Sequence, residues 1–401
     1  MTQHIKDLTS AEFEELSRMT YESRKLYNSA LYIVKCHFEE TNRYLGFLPL
    51  YHIIKTNEHY KNLNSKIAQQ IIRLVDKNFR AFFALLAKKK RGEYTQPIHA
   101  PQYLPKDSKY LLVLPNDQIS LINNKLKITK NLRIPFSYKI NGTIKQIIIK
   151  PHRINKFYTM YIQYDETPIT DPELDKQNCL AIDLGINNLV SCISNVGHSF
   201  IMNGRPLKAY NQLYNKRKAT IQADLKIKNN QKWSNYLERL TINRHNYIDN
   251  YFNQTVSYII KECLKNNIGT VVCGYNETWK QEVNMGKRNN QNFTNIPHWK
   301  FKRKLENKCK EYSIDFILQE ESYTSKCSFL DNEGIHKHET YLGKRVKRGL
   351  FKTSKNLLVN ADVQAAANIL KKAVPNVQWI DGIVGCIVNP LMLKHCFNLK
   401  R

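Results

Sequence analysis

The chain has 401 residues, of which 42% are hydrophobic and 11% aromatic, so it is long enough for two or three folded domains and is not intrinsically disordered. Lys and Arg number 62 against 34 for Asp and Glu, and the net charge of +28 favours an extensive surface for a polyanion. No apolar run approaches the roughly 20 residues of a membrane-spanning helix, and the N-terminus has no signal-peptide core, so we expect a cytoplasmic protein without membrane association.

The first part of the chain is predicted to be helical and the second part to be β-structure. Apolar residues recur at three- and four-residue spacings up to a Lys/Arg run that ends at Gly92, which predicts a helical domain at residues 1–92. Prolines, short alternating segments and turns such as Asn141-Gly142 then predict a small, mostly antiparallel β-barrel at residues 93–178. Within that range, the acidic residues 165–178 are typical of a linker.

Residues 179–374 alternate between strands and helices and predict an α/β domain. A basic helical hairpin at residues 205–266 is inserted into it, and the tail at residues 375–401 carries no usable signal. The other predicted elements are strands at Leu180–Asp183, Leu189–Ser194, Ser199–Met202, Gly269–Cys273 and Asp315–Leu318, a helix from Ile296 to Tyr312, and a late alanine-rich helix that Asn360 caps.

Three carboxylates stand out in this domain. Asp183 lies in an apolar strand, where a carboxylate is costly unless a cation or another group pairs with it. Asp362 falls in the first turn of the alanine-rich helix, and a glutamate can be supplied between the two aspartates. Carboxylates gathered from strands and a helix at one sheet edge are what phosphodiester hydrolysis with two Mg²⁺ ions requires.

Four stretches of this domain resemble the RuvC-like nuclease motifs of the TnpB family. They are LAIDLGINNL, GTVVCGYNETWKQE, EESYTSKCSFLD and NADVQAAANIL. TnpB proteins are transposon-encoded, RNA-guided DNA endonucleases related to type V CRISPR effectors and to Fanzor proteins. The resemblance implies an RNase H-like (RuvC) mixed-sheet nuclease domain that follows a helical recognition domain at residues 1–92 and a β-barrel wedge domain at residues 93–178.

The same resemblance implies the partners and the reaction. It implies a guide RNA, a target DNA cut beside a short element-adjacent motif, two Mg²⁺ ions at the carboxylates, and one protein monomer per guide RNA. Two other interpretations remain open. The chain could be a nuclease-inactive, RNA-guided DNA-binding repressor, or a guide-independent transposase of the RNase H superfamily.

The second carboxylate departs from the commonest family pattern, because Gly274 stands where a strand-ending glutamate is usual. Glu277 is nearby but lies beyond the strand end. Some relatives carry a relocated glutamate just before a Thr-Ser motif, which matches Glu320 and Glu321 here. Adjacent strand residues point to opposite faces, so only one of the two is expected to reach the metals. The family's Glu-x-x-Thr spacing favours Glu321, with Glu320 second.

The segment at residues 327–355 departs from the zinc ribbon that many relatives carry. It offers Cys327, His336 and His338 without a fourth ligand, and the nine cysteines form no Cys-x-x-Cys pair, so we expect no zinc and a reducing compartment. Asp331 is expected to cap or to pair with Arg345 or Arg348.

The nucleic-acid contacts are predicted on the basic hairpin, on the short polar segment after Glu321 and on a basic loop before the last motif. For the polar segment, an ordinary turn is an equal alternative, and Trp279 and Trp299 either stack on a displaced strand or pack. The predicted contact residues are Lys216, Arg217, Lys218, Arg244, Thr324, Ser325, Lys326, Lys344, Arg345 and Arg348.

Overall fold

The structure is a computed structural model that describes residues 1–138, 140, 142–152, 157–166, 173–276 and 296–393. The chain divides into two compact units, Met1–Thr167 and Pro168–Arg401. The expectations for Glu277 and Trp279 lie outside the described residues. No helix in the described ranges is both long enough and apolar enough to cross a membrane.

The helices of the first unit follow the apolar periodicity of the sequence. Thr9 and Glu12 form a capping box at the start of the first helix, which ends where Asn42 adopts a left-handed conformation with φ +54°. The predicted apolar positions of the fourth helix, among them Ile71 and Phe79, are buried in the core of this unit. The helices are α1 Ser10–Thr41, α2 Phe47–Ile54, α3 Glu58–Lys61 and α4 Ser65–Lys90.

The strands of the first unit are antiparallel, as predicted, but the described ones form two sheets rather than one barrel. The orders are β1-β7-β6-β2 and β3-β4-β5. Strand β1 was assigned to the helical domain, and it instead pairs with β7, because four residues are too few to show an alternating pattern. The strands are β1 Thr2–Ile5, β2 Leu112–Pro115, β3 Ser120–Ile122, β4 Lys125–Lys127, β5 Arg133–Pro135, β6 Gly142–Pro151 and β7 Tyr158–Glu166.

The second unit contains a mixed six-stranded sheet in the order β12-β11-β8-β9-β10-β16. Strand β11 is parallel to both β8 and β12, β9 is antiparallel to both β8 and β10, and β16 is parallel to β10. The strands are β8 Asp175–Leu184, β9 Asn188–Ser194, β10 Ser199–Asn203, β11 Ile268–Tyr275, β12 Asp315–Glu320 and β16 Leu391–Leu393. A second sheet joins β13 Lys344–Lys347, β14 Leu350–Lys352 and β15 Leu358–Asn360.

Helices cover both faces of this mixed sheet. Alternate residues of β8 enter different cores: Leu180 and Ile182 join the core that contains residues of α6 and α7, whereas Cys179 and Ala181 join the core that contains α8 residues. The predicted hairpin is present as α5 and α6, and strand β8 begins inside the segment predicted as a linker. The helices are α5 Arg205–Asn229, α6 Asn235–Lys265, α7 His298–Glu311, α8 Ala361–Ala373 and α9 Ile383–Val388.

Candidate active site

Asp183 lies at the C-terminal end of β8, where a glycine lets the strand turn sharply. A Cβ atom on Gly185 would lie 2.5 Å from the carbonyl oxygen of Asn188, so a larger residue would not fit this turn. Because β8, β11 and β12 are parallel, their C-terminal ends meet at the same edge of the sheet. The strand order therefore brings residues that follow β11 and β12 towards Asp183.

Glu321 follows β12 and lies beside Gly274 of β11. Its backbone N–H donates to the carbonyl of Tyr275 at 3.1 Å, which continues the pairing of the two strands. A Cβ atom built on Gly274 would lie 2.7 Å from Glu321 Oε2. The carboxylate of Glu321 thus occupies the space that a side chain at position 274 would need.

Glu320 and Glu321 point in different directions, as expected for neighbours at a strand end. Glu320 accepts hydrogen bonds from Lys372 Nζ at 2.8 Å and from the Ser322 hydroxyl at 2.6 Å, and its side chain is 41% exposed. Glu321 instead lines the cavity that Asp183 also lines. Of the two glutamates, the geometry favours Glu321 for the carboxylate site.

Asp362 completes the group from the first turn of α8. The side chain of Asn360 accepts from the backbone N–H groups of Asp362 and Val363 at 3.1 Å, which starts the helix at this point. The Asp362 carboxylate accepts from Asn188 Nδ2 at 2.8 Å and forms an ion pair with Arg345 at 2.6 Å. All three acidic residues line one cavity of about 430 Å³.

Burial and neighbouring carboxylates disfavour the charged forms of two acidic residues at this edge. Burial, followed by the charges of Glu321 and Asp362, raises the pKa of Asp183 well above its ordinary range. Burial also raises the pKa of Glu321 to about 7, against the opposing effect of Lys302. Burial acts to raise the pKa of Glu320 as well, but its hydrogen bonds with Lys372 and Ser322 outweigh that effect and lower it. Asp183 and Glu321 are thus the two carboxylates of the cluster whose negative charge lacks full compensation.

The donor set of this site suits a hard divalent cation, because its charged ligands are carboxylate oxygens. In the described ranges, no three His, Cys, Asp or Glu side chains are close enough together to hold one metal ion. The ion pair with Arg345 occupies one oxygen of the Asp362 carboxylate, so a cation at Asp362 would compete with this arginine.

The residues predicted to contact nucleic acid near the cavity fall into two groups. Ser325, Arg345 and Arg348 are exposed and line the cavity. Thr324 also lines it but is 3% exposed, and its hydroxyl donates to the Glu321 carbonyl at 2.8 Å, so its main contact is structural. Lys326 and Lys344 are exposed outside the cavity lining.

The residues predicted on the helical hairpin also differ from one another. Lys216 and Arg217 of α5 are exposed, and Lys218 lies 5.9 Å from the ring centre of Trp233. Arg244 of α6 donates from Nε to the side-chain oxygen of Asn211 of α5 at 2.6 Å and lies over the ring of Tyr214, also of α5. Arg244 therefore links the two helices of the hairpin.

Carboxylates organise the segment where relatives have a zinc ribbon. Of the two alternatives for Asp331, the structure agrees with capping and not with an ion pair to Arg345 or Arg348, because Asp331 accepts from the Ser328 hydroxyl at 2.6 Å and from the backbone N–H of Ser354 at 2.9 Å. Buried Glu333 accepts from the backbone N–H groups of Ser328 and Leu342. The Cys327 thiol donates to the His336 carbonyl at 3.6 Å, and His338 Nε2 lies 2.7 Å from the Gly334 carbonyl oxygen.

Two polar residues of α8 support the site and were missed by the sequence analysis. Asn368 Nδ2 donates to the carbonyls of Thr324 and Cys327, both at 2.8 Å, and Gln364 Nε2 donates to the Cys327 carbonyl at 3.0 Å. Both residues are fully buried, and they fix the segment that follows Glu321 against the helix that carries Asp362. Gln364 and Asn368 are four positions apart in an otherwise alanine-rich helix, and this spacing could have predicted a pair of buried hydrogen-bonding side chains on one helix face.

Trp299, at the start of α7, was predicted either to stack on nucleic acid or to pack. Its side chain is 68% exposed, and the guanidinium of Arg303 lies 5.7 Å from its ring centre. In the next turn of α7, Lys302 lies 5.5 Å from the ring centre of Tyr275 at the end of β11. Trp299 therefore does not pack into the core.

Comparisons with known proteins agree with this arrangement. Residues 161–280 match the family model "Probable transposase" (OrfB_IS605), and residues 298–369 match the model "Cas12f1-like, TNB domain". A TnpB-like protein, ORF457 of Acidianus two-tailed virus, is 26% identical over 362 residues, which cover 80% of this chain and 75% of the relative.

Solved structures with the same fold include Cas12f1. The cryo-EM structure of a Cas12f1-sgRNA-target DNA complex matches with a TM-score of 0.55 and 17% identity, covering 90% of this chain and 83% of that one. A CRISPR-Cas12f ternary complex matches with a TM-score of 0.37 and 16% identity, covering 92% of this chain and 83% of that one.

The first family match contains Asp183 and Gly274, and the second contains Glu321 and Asp362. Each match therefore contains part of the carboxylate cluster, and together the two matches contain all three acidic residues. Together with the TnpB-like viral relative, they show that this chain is similar to TnpB-family proteins, and the Cas12f1 match shows a shared fold.

Proposed function

We propose that the protein is an RNA-guided DNA endonuclease of a mobile element, and that the mixed sheet of its second unit is an RNase H-like nuclease core. The observation that carries the proposal is that Asp183, Glu321 and Asp362, from three distant segments, line one cavity. Burial together with neighbouring negative charge raises the pKa of Asp183, and this arrangement is costly unless a cation compensates it.

Asp183, Glu321 and Asp362 would hold two Mg²⁺ ions. Bound magnesium would lower the pKa of an attacking water and stabilise charge on the leaving oxygen of a phosphodiester. Ser325 and Arg348 line the same cavity and would bind phosphate oxygens. Release of Arg345 from Asp362 would give the cavity a third phosphate ligand.

The partners of the proposed nuclease are a guide RNA and a target DNA. The matched Cas12f1 structure is a complex with sgRNA and target DNA. The net charge of +28 supports binding to long polyanions, because each phosphate that is neutralised releases counterions. Pairing with the guide would select the sequence, while the protein would hold the nucleic-acid backbone.

The test compares Asp183→Asn, Glu321→Gln and Glu320→Gln in the full protein purified with its co-expressed RNA. We expect the first two variants to lower plasmid cleavage by more than about 100-fold. Changing a residue that only contacts a metal ligand costs up to about 100-fold, and the loss of a ligand itself should cost more. Glu320→Gln is the matched control and is expected to cut, and all three variants are expected to shift target DNA in a gel.

Three results would contradict the proposal. Normal cleavage by Glu321→Gln together with loss in Glu320→Gln would contradict the assigned carboxylate. DNA binding by the wild type without cleavage would indicate an inactive repressor. Cleavage without any defined copurifying RNA would indicate a guide-independent transposase.

A further inference from the structure

Arg24, on helix α1 of the first unit, is a buried cation without a counterion. It is 6% exposed, and its Nε atom is inaccessible to solvent and makes no hydrogen bond. Among the described residues no hydrogen bond or ion pair involves Arg24, and its one recorded contact is with an aromatic ring. Arginine is rarely buried unless it is paired, because removing its charge from water is costly. The position therefore calls for an anion from outside the chain.

The guanidinium of Arg24 lies beside an aromatic ring that is partly exposed to solvent. It lies 4.7 Å from the ring centre of Tyr21, and this ring is 37% exposed. Lys25 Nζ lies 4.7 Å from the same ring centre and 3.2 Å from Glu22 Oε1. Glu22 also accepts from Asn62 and lies 2.9 Å from the His59 ring nitrogen, so its carboxylate is occupied by groups other than Arg24. Tyr21 thus supports the guanidinium at a point that an external ligand can reach.

The same face of α1 carries further aromatic and basic side chains. Tyr21, Asn28, Tyr32 and Lys35 follow one another at three-, four- or seven-residue spacings, which places them on one helix face. Tyr32 is 61% exposed, and Lys35 Nζ lies 4.6 Å from the ring centre of Tyr103. Asn28 exchanges two hydrogen bonds of 2.9 Å with the backbone of Leu104, which holds the Tyr103 segment against this face.

We propose that this face of α1 binds an unpaired RNA strand, with Arg24 taking a backbone phosphate and Tyr32 stacking on a base. Single-stranded RNA is recognised by aromatic stacking combined with arginine contacts. Arg24 and Tyr32 are eight residues apart, or about 12 Å along the helix, which spans about three to four stacked nucleotides. The site rests on the proposed function, in which the chain carries a guide RNA.

The test measures binding of the full-length protein, freed of copurifying nucleic acid, to a single-stranded RNA of mixed sequence by fluorescence anisotropy. We expect Arg24→Met to weaken binding at least about tenfold, as the loss of a charge-assisted contact does. Tm is expected to stay unchanged or to rise, because the variant removes an uncompensated buried charge. Arg73→Met is the matched control, since Arg73 is exposed and its guanidinium lies 4.1 Å from the ring centre of Phe47.

The possible results distinguish failure of the proposed RNA site from failure of the proposed function. A lower Tm for Arg24→Met, with the same affinity as Arg73→Met, would show a structural arginine and overturn the site while RNA-guided cleavage by the wild type stands. A wild type that binds no RNA would overturn both. A DNA strand of the same sequence forms the second arm, and a larger loss with DNA than with RNA would overturn RNA as the occupant.

Discussion

At the scale of single residues, the contact between Gly274 and Glu321 decides which carboxylate completes the site. The absence of a side chain at Gly274 leaves room for the carboxylate of a residue from the neighbouring strand. Gly274 is in register with Gln319, two residues before Glu321, and the hydrogen bond from the Glu321 N–H to the Tyr275 carbonyl continues the pairing beyond the end of β12. A glycine at the end of β11 is therefore a requirement of this site.

We expect Gly274→Ala to lower cleavage by about 100-fold, the cost of misplacing a reacting group by about 1 Å. The new Cβ atom would lie 2.7 Å from Glu321 Oε2 and 2.8 Å from Ile369 Cδ1, so the Glu321 carboxylate and the end of the Ile369 side chain must both shift. Cleavage rates with bound RNA measure the effect. Gly385→Ala is the control, because nothing lies within 4 Å of a Cβ atom there. Equal activity of the two variants would contradict the role of Gly274.

Arg345 competes with a cation for Asp362. Because an exposed ion pair is worth up to about 1 kcal/mol, Arg345→Ala should raise the affinity of the protein for Mn²⁺ by up to about fivefold. Titration followed by electron paramagnetic resonance measures the affinity without any cleavage. Arg348→Ala removes the same charge from the same cavity without touching the ion pair, and an identical gain in that variant would contradict the prediction.

The raised pKa of Glu321 makes the stability of the metal-free protein depend on pH. Its folded-state pKa of about 7 exceeds the ordinary value of 4.5, so the folded state binds more protons between these values. This contribution to stability is complete below pH 4.5 and is lost as the pH rises through about 7.

Melting curves in a chelator should therefore show that Glu321→Gln gains Tm relative to wild type as the pH increases from 5 to 8. Glu320→Gln provides the contrast: the pKa of Glu320 is lowered, so its contribution is lost only as the pH falls below 4.5, and the Tm difference of this variant from wild type should stay constant between pH 5 and 8. If both variants respond to pH in the same direction, the assigned environments are wrong.

At the scale of elements, α8 does more than deliver Asp362. Asn368 and Gln364 hold the carbonyls of Thr324 and Cys327, which follow Glu321 in the chain. Tyr323, which lies between Glu321 and Thr324 in the chain, has a φ of +66°, a left-handed conformation that a bulky residue adopts only when its surroundings impose it. The helix therefore fixes the turn that orients Glu321.

Asn368→Ala should lower the free energy of unfolding by about 1–3 kcal/mol, since the Thr324 carbonyl loses the amide that donates to it, while the Cys327 carbonyl keeps its hydrogen bond from Gln364. Cleavage should fall with it, because the turn after Glu321 loses its support. Thermal unfolding and cleavage assays measure the two effects. Lys371→Ala, on the same helix but only partly buried and bonded to Asn332 at the surface, should change stability by less than about 0.5 kcal/mol. Equal losses in both variants would contradict the assigned role.

The sequence predicted the elements that have a strong apolar periodicity or clear capping and turn residues at their ends. The parallel core strands, the hairpin and the capped helix with Asp362 are examples. It did not predict β1 or β16, because strands of four and three residues carry too little pattern and owe their structure to pairing with β7 and β10. The partner of Asp331 was also missed, since a hydrogen bond with Ser354 depends on how two loops meet, which spacing does not encode.

At the scale of the whole molecule, the distribution of the hydrophobic cores between the two units determines which parts of the chain can fold independently. In the described ranges, one core takes all its residues from the first unit, and the other two take theirs from the second. Each unit thus buries its own apolar surface, which is the main source of folding stability. The basic charge, in contrast, is spread along the entire chain.

A fragment of residues 1–166 should therefore fold by itself. We expect circular dichroism to show helix and strand and a single cooperative thermal transition, since the fragment retains every strand of the sheet β1-β7-β6-β2. A fragment of residues 1–152 lacks β7, the partner of both β1 and β6, and should melt without cooperativity. An unfolded 1–166 fragment would contradict the independence of the first core.

The position of α8 late in the chain has a consequence for protein synthesis. A ribosome makes Asp183 early and Asp362 only after nearly all of the mixed sheet has been translated. A polypeptide that is released prematurely, or is still emerging, has one or two of the three acidic groups and lacks the buried amides that fix the turn at Glu321. In the proposed nuclease, cleavage would therefore require translation past α8, and incomplete translation products would not cut DNA.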